Sequence, residues 1–294
     1  MLSASSPASF PAQRGRPAQG GRLVKAGRLV RRLGAASLLA LVAACAGQSN
    51  FYPTKGDTRP HPAVARAVQS PIQGIDISKW QGEIDWAAVR AAGTQFAFMK
   101  ATEGGDHLDE RFWKNWQGAQ RAGVPRGAYH FVFWCRPAAD QAEWFRRNVP
   151  NDPDALPPVL DVEWNGHSRT CPKRLPKGEA LAMIRTMLAA MEEHTGKRPI
   201  IYTDIPFHRD VLEGELEDYP HWVRSTAAEP HERYANRKRM LWQFTTTGRV
   251  PGIAGDVDRN AFYGTTTEWA SFLATDCDPR DHRRLSAQGF CTDK

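Results

Sequence analysis

Acidic residues are missing from the first 45 positions of this 294-residue chain. The same stretch holds seven basic ones: Arg14, Arg16, Arg22, Lys25, Arg28, Arg31 and Arg32. Removing those seven from the 39 Lys and Arg leaves 32, which balance the 32 Asp and Glu that follow, so the formal charge of +7 belongs to the leader. The remaining chain has no excess of base, and the electrostatic case for a nucleic-acid partner disappears. Long apolar runs are also absent. The longest, LGAASLLALVAA before Cys45, falls short of the ~20 residues of a spanning helix and fits the core of an export signal. No CxxC pair and no Cys/His cluster occurs, so neither a metal site nor a cofactor is expected. No internal repeat is present.

What the leader does contain is a paired Arg31–Arg32, the apolar run and the ending LVAAC. That ending resembles a bacterial lipobox, which predicts a lipid anchor at Cys45 as the first mature residue. Residues 1–22 form an unusually long low-complexity stretch, and the true start is expected downstream, near Val24. Ala46 after Cys45, in place of an Asp, favours an outer-membrane or periplasmic lipoprotein in the cell envelope. Residues 46–70 are polar and contain Pro, and read as a flexible tether. Four cysteines remain after the leader, and in an oxidising compartment they are expected to pair as Cys135–Cys171 and Cys277–Cys291. The second pair would staple a C-terminal tail, residues 275–294.

From residue 71 to 274 strands alternate with helices. Short apolar runs predict strands at 72–78, 95–101, 126–133, 157–163, 198–203, 221–225, 240–245 and 256–259. Helices fit at 85–93, 111–122, after Pro137, and at 178–195, the last stopped by Gly196. This is an α/β chain, read as a modified TIM-like parallel barrel of about five βα units followed by a β-rich closure of three strands. Such barrels carry their chemistry at the C-terminal ends of the strands. Asp76, Glu103, His130, Asp161 and Glu163 all fall at or just past such ends.

The central pair is Asp161 and Glu163, in LPPVLDVEW. Side chains at i and i+2 of a strand share a face, with Cα atoms roughly 6.6–7 Å apart. Two carboxylates so placed at the end of a buried strand are what glycoside hydrolysis requires. Asp76 in GIDISKWQG and Asp258 in GDVDRNAF sit in similar short strands far away in sequence, and a closed barrel brings all four to one mouth. The 10 Trp and 13 Phe suit a carbohydrate cleft.

The succession GIDISKWQGEIDW, FAFMKATEG, GAYHF, VLDVEW, PIIYT and LWQFTTTGRVPGIAGDVDRNAF resembles the strand motifs of glycoside hydrolase family 25, the Chalaropsis-type lysozymes or N-acetylmuramidases. The resemblance spans about residues 72–273. It implies a modified barrel and cleavage of the β-1,4 bond between N-acetylmuramic acid and N-acetylglucosamine in the glycan strands of peptidoglycan. By motif position, Glu163 is the general acid and Asp161 stabilises charge developing on the sugar, with Asp76 and Asp258 completing the cluster. A DxE pair on one strand also resembles the substrate-assisted arrangement of family 18 chitinases, which favours retention with Asp161 orienting the substrate's acetamido nitrogen; direct attack by Asp161 and inversion through an activated water stay open. Tyr129, Tyr202, Trp242 and Gln243 are candidate sugar contacts. Lys100 and Glu103 are a charge pair at the site, read as a buttress, and His130 reads as a core histidine.

Two segments depart from the family pattern. HWVRSTAAEP stands where many members carry a WxAxY-like segment, and the loops holding Cys135 and Cys171 are additions near the mouth. Two other functions fit the same acids: a chitinase-like glycosidase, and an anchored, non-catalytic peptidoglycan-binding protein. The chain is expected to act as a monomer.

Overall fold

The computed structural model describes residues 61–274 apart from 235 and 236. The leader, the anchor candidate Cys45, the first part of the tether and the tail with Cys277 and Cys291 lie outside the described residues. The strands are β1 (Gln73–Ile77), β2 (Phe96–Glu103), β3 (His107–Leu108), β4 (Arg126–Phe131), β5 (Val159–Val162), β6 (Ile200–Thr203), β7 (His221–Arg224), β8 (Leu241–Gly248) and β9 (Val257–Phe262). Their order is β1-β9-β8-β7-β6-β5-β4-β2-β3, and β1 also pairs with β2, which closes eight strands into a barrel with β3 as an added edge. Apart from the antiparallel β2–β3 pair, neighbours from β1 through β8 run parallel, and β9 runs antiparallel to both β8 and β1. The expected α/β barrel is therefore present. The β2–β3 hairpin is an addition that short apolar runs did not indicate.

Alternation along each strand sorts residues between two cores. Phe96, Phe98, Val159, Ile200, Tyr202, Trp222, Leu241 and Phe262 meet inside the barrel. Ile75, Ala97, Met99, Leu160, Val162 and Ile201 face outward and pack under the helices. The inner core leaves no room for side chains at two positions. A Cβ on Gly74 would come within 2.4 Å of the Phe96 ring, and one on Gly127 within 2.3 Å of Phe98. Glycine at these points lets two phenylalanines fill the barrel. Trp269 and Phe272 of the helix Thr266–Leu273 join the same inner cluster and pack on Phe96 and Phe262. They close the end opposite the C-terminal strand ends.

The helices begin and stop for local reasons. Asp85 accepts the backbone N–H groups of Ala87 and Ala88 and so caps Trp86–Ala91. Lys177–Thr195 ends at Gly196, whose φ of 68° is left-handed. Ala138–Asn148 packs along Lys177–Thr195 on the outside of the barrel.

Residues 61–70, assigned to the tether by composition, belong to the folded domain. A short helical stretch covers Pro62–Val68, and Val64 and Ala67 are buried against Trp242, Phe244 and Ala261 on the outer face of β8 and β9. Val68 packs against the same cluster, half-buried, and three side chains are too few to give a periodic apolar signal. Among the described residues one disulfide is present, Cys135–Cys171. It joins the loops after β4 and β5, which are neighbouring strands. Among the described residues no helix is long and apolar enough to cross a membrane.

Candidate active site

The C-terminal ends of the parallel strands surround a cleft of ≈ 200 Å³. Asp76, Asp161, Glu163 and Asp258 all line it, together with Lys100, Tyr129, Tyr202 and Gln243. Trp80, on the turn after β1, stands at the rim and is 83% exposed. Its turn is fixed by a capping box in which Ser78 and Gln81 serve each other's backbone.

Two predicted contacts do not reach the cleft. Trp242 follows the opposite strand parity from Gln243, so its ring faces outward, 1% exposed, and its Nε1 donates to the Ser225 carbonyl at 2.7 Å. Glu103 sits past a bulge in β2 between Lys100 and Thr102 and is ion-paired with Lys100. Lys100 itself lines the cleft, its Nζ 4.8 Å from the centre of the Phe131 ring. His130 also points outward. It is fully buried, with Nδ1 2.8 Å from the Thr102 hydroxyl and Nε2 3.2 Å from Gln141 Oε1. Burial pushes it down to about 4, so it is a neutral link between the barrel and the helix Ala138–Asn148.

The four acids form two unlike pairs. Asp76 and Asp258 are register partners on the antiparallel β1 and β9. Two like charges directly opposite each other are unfavourable unless a proton is shared. Asp76 is the acceptor end: Asn260 Nδ2 donates to its Oδ2 at 2.7 Å and Gln243 Nε2 at 3.0 Å. Burial pushes Asp76 up against the pull of these donors. Burial and then the Asp76 charge push Asp258 up to about 9, so Asp258 donates its proton to Asp76 at neutral pH. The amides are themselves held. Tyr202 donates its hydroxyl to Gln243 Oε1, and Trp222 Nε1 donates to Asn260 Oδ1, each at 2.8 Å. This chain of oriented groups fixes one proton arrangement.

Asp161 and Glu163 are the second pair. Asp161 is 7% exposed, and its Oδ1 is buried without a hydrogen-bond donor. Burial, then the neighbouring Glu163 charge, raises it well above the usual carboxylate range, while Lys100 opposes the rise. Glu163 is pushed up to about 7 by burial first and by the charge of Asp204 next, with Arg224 pulling the other way. A carboxyl poised near neutrality is a competent proton donor at physiological pH.

Asp204, Trp222, Arg224, Asn260 and Trp80 were not singled out in the sequence. Asn260 could have been found, because it lies two residues from Asp258 on the same strand face. Asp204 and Arg224 fall at or just after the predicted strands 198–203 and 221–225, where barrel chemistry sits, but each looks like an isolated solvated charge.

Carboxyls of different proton affinity in the mouth of a closed α/β barrel, with aromatic walls, define a glycosidase-type hydrolase. Comparison with known proteins narrows the class. The profile described as "Glycosyl hydrolases family 25" matches residues 75–253. The chain is 39% identical to YegX of Escherichia coli K12 over 210 residues, covering 69% of this chain and 73% of that one. It is 36% identical to lysozyme M1 of Streptomyces globisporus over 217 residues, covering 69% and 71%. The solved family 25 glycosyl hydrolase from Bacillus anthracis matches with a TM-score of 0.65 at 32% identity, covering 72% of this chain and 96% of that one. The chain belongs to glycosyl hydrolase family 25. Asp258 lies just beyond the matched residues, and its pairing with Asp76 ties it to the same site.

Proposed function

We propose that this protein is a lysozyme-type muramidase that hydrolyses the β-1,4 bond between N-acetylmuramic acid and N-acetylglucosamine, with net retention by substrate assistance. The observation that carries the mechanism is the buried Asp161 Oδ1 without a donor, beside an acid held protonated near neutrality. Burial and the Glu163 charge raise Asp161 in the free site; with Glu163 protonated, an acetamido N–H from the sugar supplies the missing donor and favours the carboxylate, and in return Asp161 aims the acetamido oxygen at the anomeric carbon.

In the first step Glu163 gives its proton to the glycosidic oxygen. The C1–O bond breaks with its electron pair going to that oxygen, and the acetamido oxygen bonds to C1 from the opposite face. The resulting cyclic oxazolinium carries positive charge that the Asp161 carboxylate offsets. In the second step water attacks C1, the bond to the acetamido oxygen breaks, and Glu163 takes the water's proton, returning to its starting state. Asp76, Asp258, Gln243 and Asn260 hold the floor of the site, and Tyr129 is placed to meet the sugar.

Digestion of purified peptidoglycan is expected to give muramic acid at the new reducing ends by mass spectrometry, and the β-anomer as the first product by NMR. N-acetylglucosamine ends alone would reject the muramidase reading, and an α-anomer would reject substrate assistance.

The proposal extends to placement. The chain is exported and held as a monomer in the cell envelope by a lipid on Cys45. Labelled palmitate is expected in the protein and absent from Cys45→Ser; equal labelling of the two would rule the anchor out.

A further inference from the structure

Three neighbouring strands bring three charged groups side by side. Thr203 is the register partner of Val162 in β5 and of Val223 in β7. The next residue of each strand is therefore Glu163, Asp204 and Arg224, adjacent to one another at the cleft. Arg224 Nη1 lies 3.9 Å from Glu163 Oε2, and the Glu163 and Asp204 carboxyls are hydrogen-bonded. Asp204 is not free to swing away, because its Oδ1 accepts the Phe207 backbone N–H at 2.9 Å and caps the turn that follows β6. Glu163 is thus held between a fixed anion and a cation.

We propose that Asp204 and Arg224 are positioning residues for the acid: Asp204 accepts and aims the Glu163 proton before transfer, and Arg224 neutralises the carboxylate that transfer leaves behind. The inference rests on Glu163 being the proton donor of the muramidase reaction. A carboxyl that must both hold a proton at neutral pH and release it needs opposing influences that take turns. While Glu163 is protonated, Asp204 is the ionised acceptor and pairs with Arg224 electrostatically. Once the proton has left, Asp204 and Glu163 repel, and the guanidinium, 43% exposed and able to move, is the counter-charge at hand. The other groups acting on Glu163 do not fill this role. Asp76 and Asp258 share a proton on the far wall, Tyr202 is committed to Gln243, and Asp161 faces the sugar.

Asp204→Asn and Arg224→Gln test the pair, with pH–rate profiles on purified peptidoglycan read as reducing ends. Asparagine keeps an oxygen for the Phe207 N–H, so the turn remains capped. Removing the anion is expected to move the alkaline limb of kcat down by about one pH unit, and removing the cation to move it up by a similar amount. KM should change by less than about threefold in both, since the lost groups act on the acid and not on uniform binding. A carbon-13 NMR titration of labelled Glu, with the Glu163 signal assigned by its loss in Glu163→Gln, reads the same shifts in a variant too slow to assay. Limbs that stay in place, or move together, would overturn the proposal. A wild-type enzyme that releases no muramic acid ends would instead overturn the muramidase reading, which the titration does not depend on.

Discussion

Glu163→Gln is expected to lower kcat on purified peptidoglycan by about a thousandfold, near the middle of what a general acid contributes. The glutamine amide fills the same space and can still donate to Asp204, so the site keeps its shape and KM should hold within a few-fold. That split marks an interaction made in the transition state. The sign of the pH dependence follows from the same group. The acid must be protonated to act, and burial with the Asp204 charge sets its midpoint at about 7. The alkaline limb of the wild type is therefore expected to fall as the pH rises through about 7. The residual activity of the variant should lack that limb. A synthetic glycoside whose leaving group departs without protonation gives an internal control: the variant should recover most of its rate on it. If Glu163→Gln keeps more than about a tenth of the wild-type rate on the wall polymer, or loses equally on the activated glycoside, Glu163 is not the acid.

Why the acid site was partly legible, and where it was not, follows from what strand parity can and cannot say. Each barrel strand is a short apolar run bounded by polar or turn residues, so the strands could be found. Asp161 and Glu163 stand out because charge at the end of such a run is costly without use. Parity alone does not tell which of two adjacent residues faces inward. Gln243 and Trp242 are the case in point: the tryptophan has the better side chain for stacking on sugar, yet it faces outward. Its outer face is covered by Val64 and Ala67, from a segment whose composition reads as linker. The proton on Asp258 was likewise hidden. It depends on β9 running antiparallel to β1 and setting Asp258 opposite Asp76, a pairing across most of the chain. Asp204 and Arg224 acquire meaning only when β5, β6 and β7 lie side by side.

That contrast also changes the meaning of the four acids. They are not one anionic patch. Asp76 with Asp258 carries one proton and serves as a rigid wall, through donors that are themselves bonded to Tyr202 and Trp222. In the proposed mechanism Asp161 and Glu163 are the reacting pair. The residues after the leader hold as many bases as acids, so long-range attraction to an anionic polymer is weak. Capture must come from contacts at the cleft, with Trp80 at its rim the most exposed aromatic among the described residues.

Asp161 supplies the second large effect, and it separates three routes that the acids alone leave open. Asp161→Asn is expected to cut kcat by about a hundredfold, the usual loss when a charge aimed at a developing opposite charge is removed. The asparagine oxygen can still accept the acetamido N–H, but the oxazolinium loses its counter-ion. Asp161→Ala should lose more, because the acetamido group is then neither aimed nor balanced. If Asp161 were itself the nucleophile, azide would enter the space left in the alanine variant and yield an α-glycosyl azide with restored turnover. No such product is expected. The decisive comparison uses wall polymer in which the muramic acid acetamido group has been removed. The wild type should cleave it slowly, and Asp161→Asn should lose little more on it than on itself with intact polymer, since residue and acetamido group act as one unit and their deletions do not add. Losses that multiply, or an azide adduct, would mean that the carboxylate and the acetamido group work independently, and the attack on carbon would then belong to Asp161 or to water.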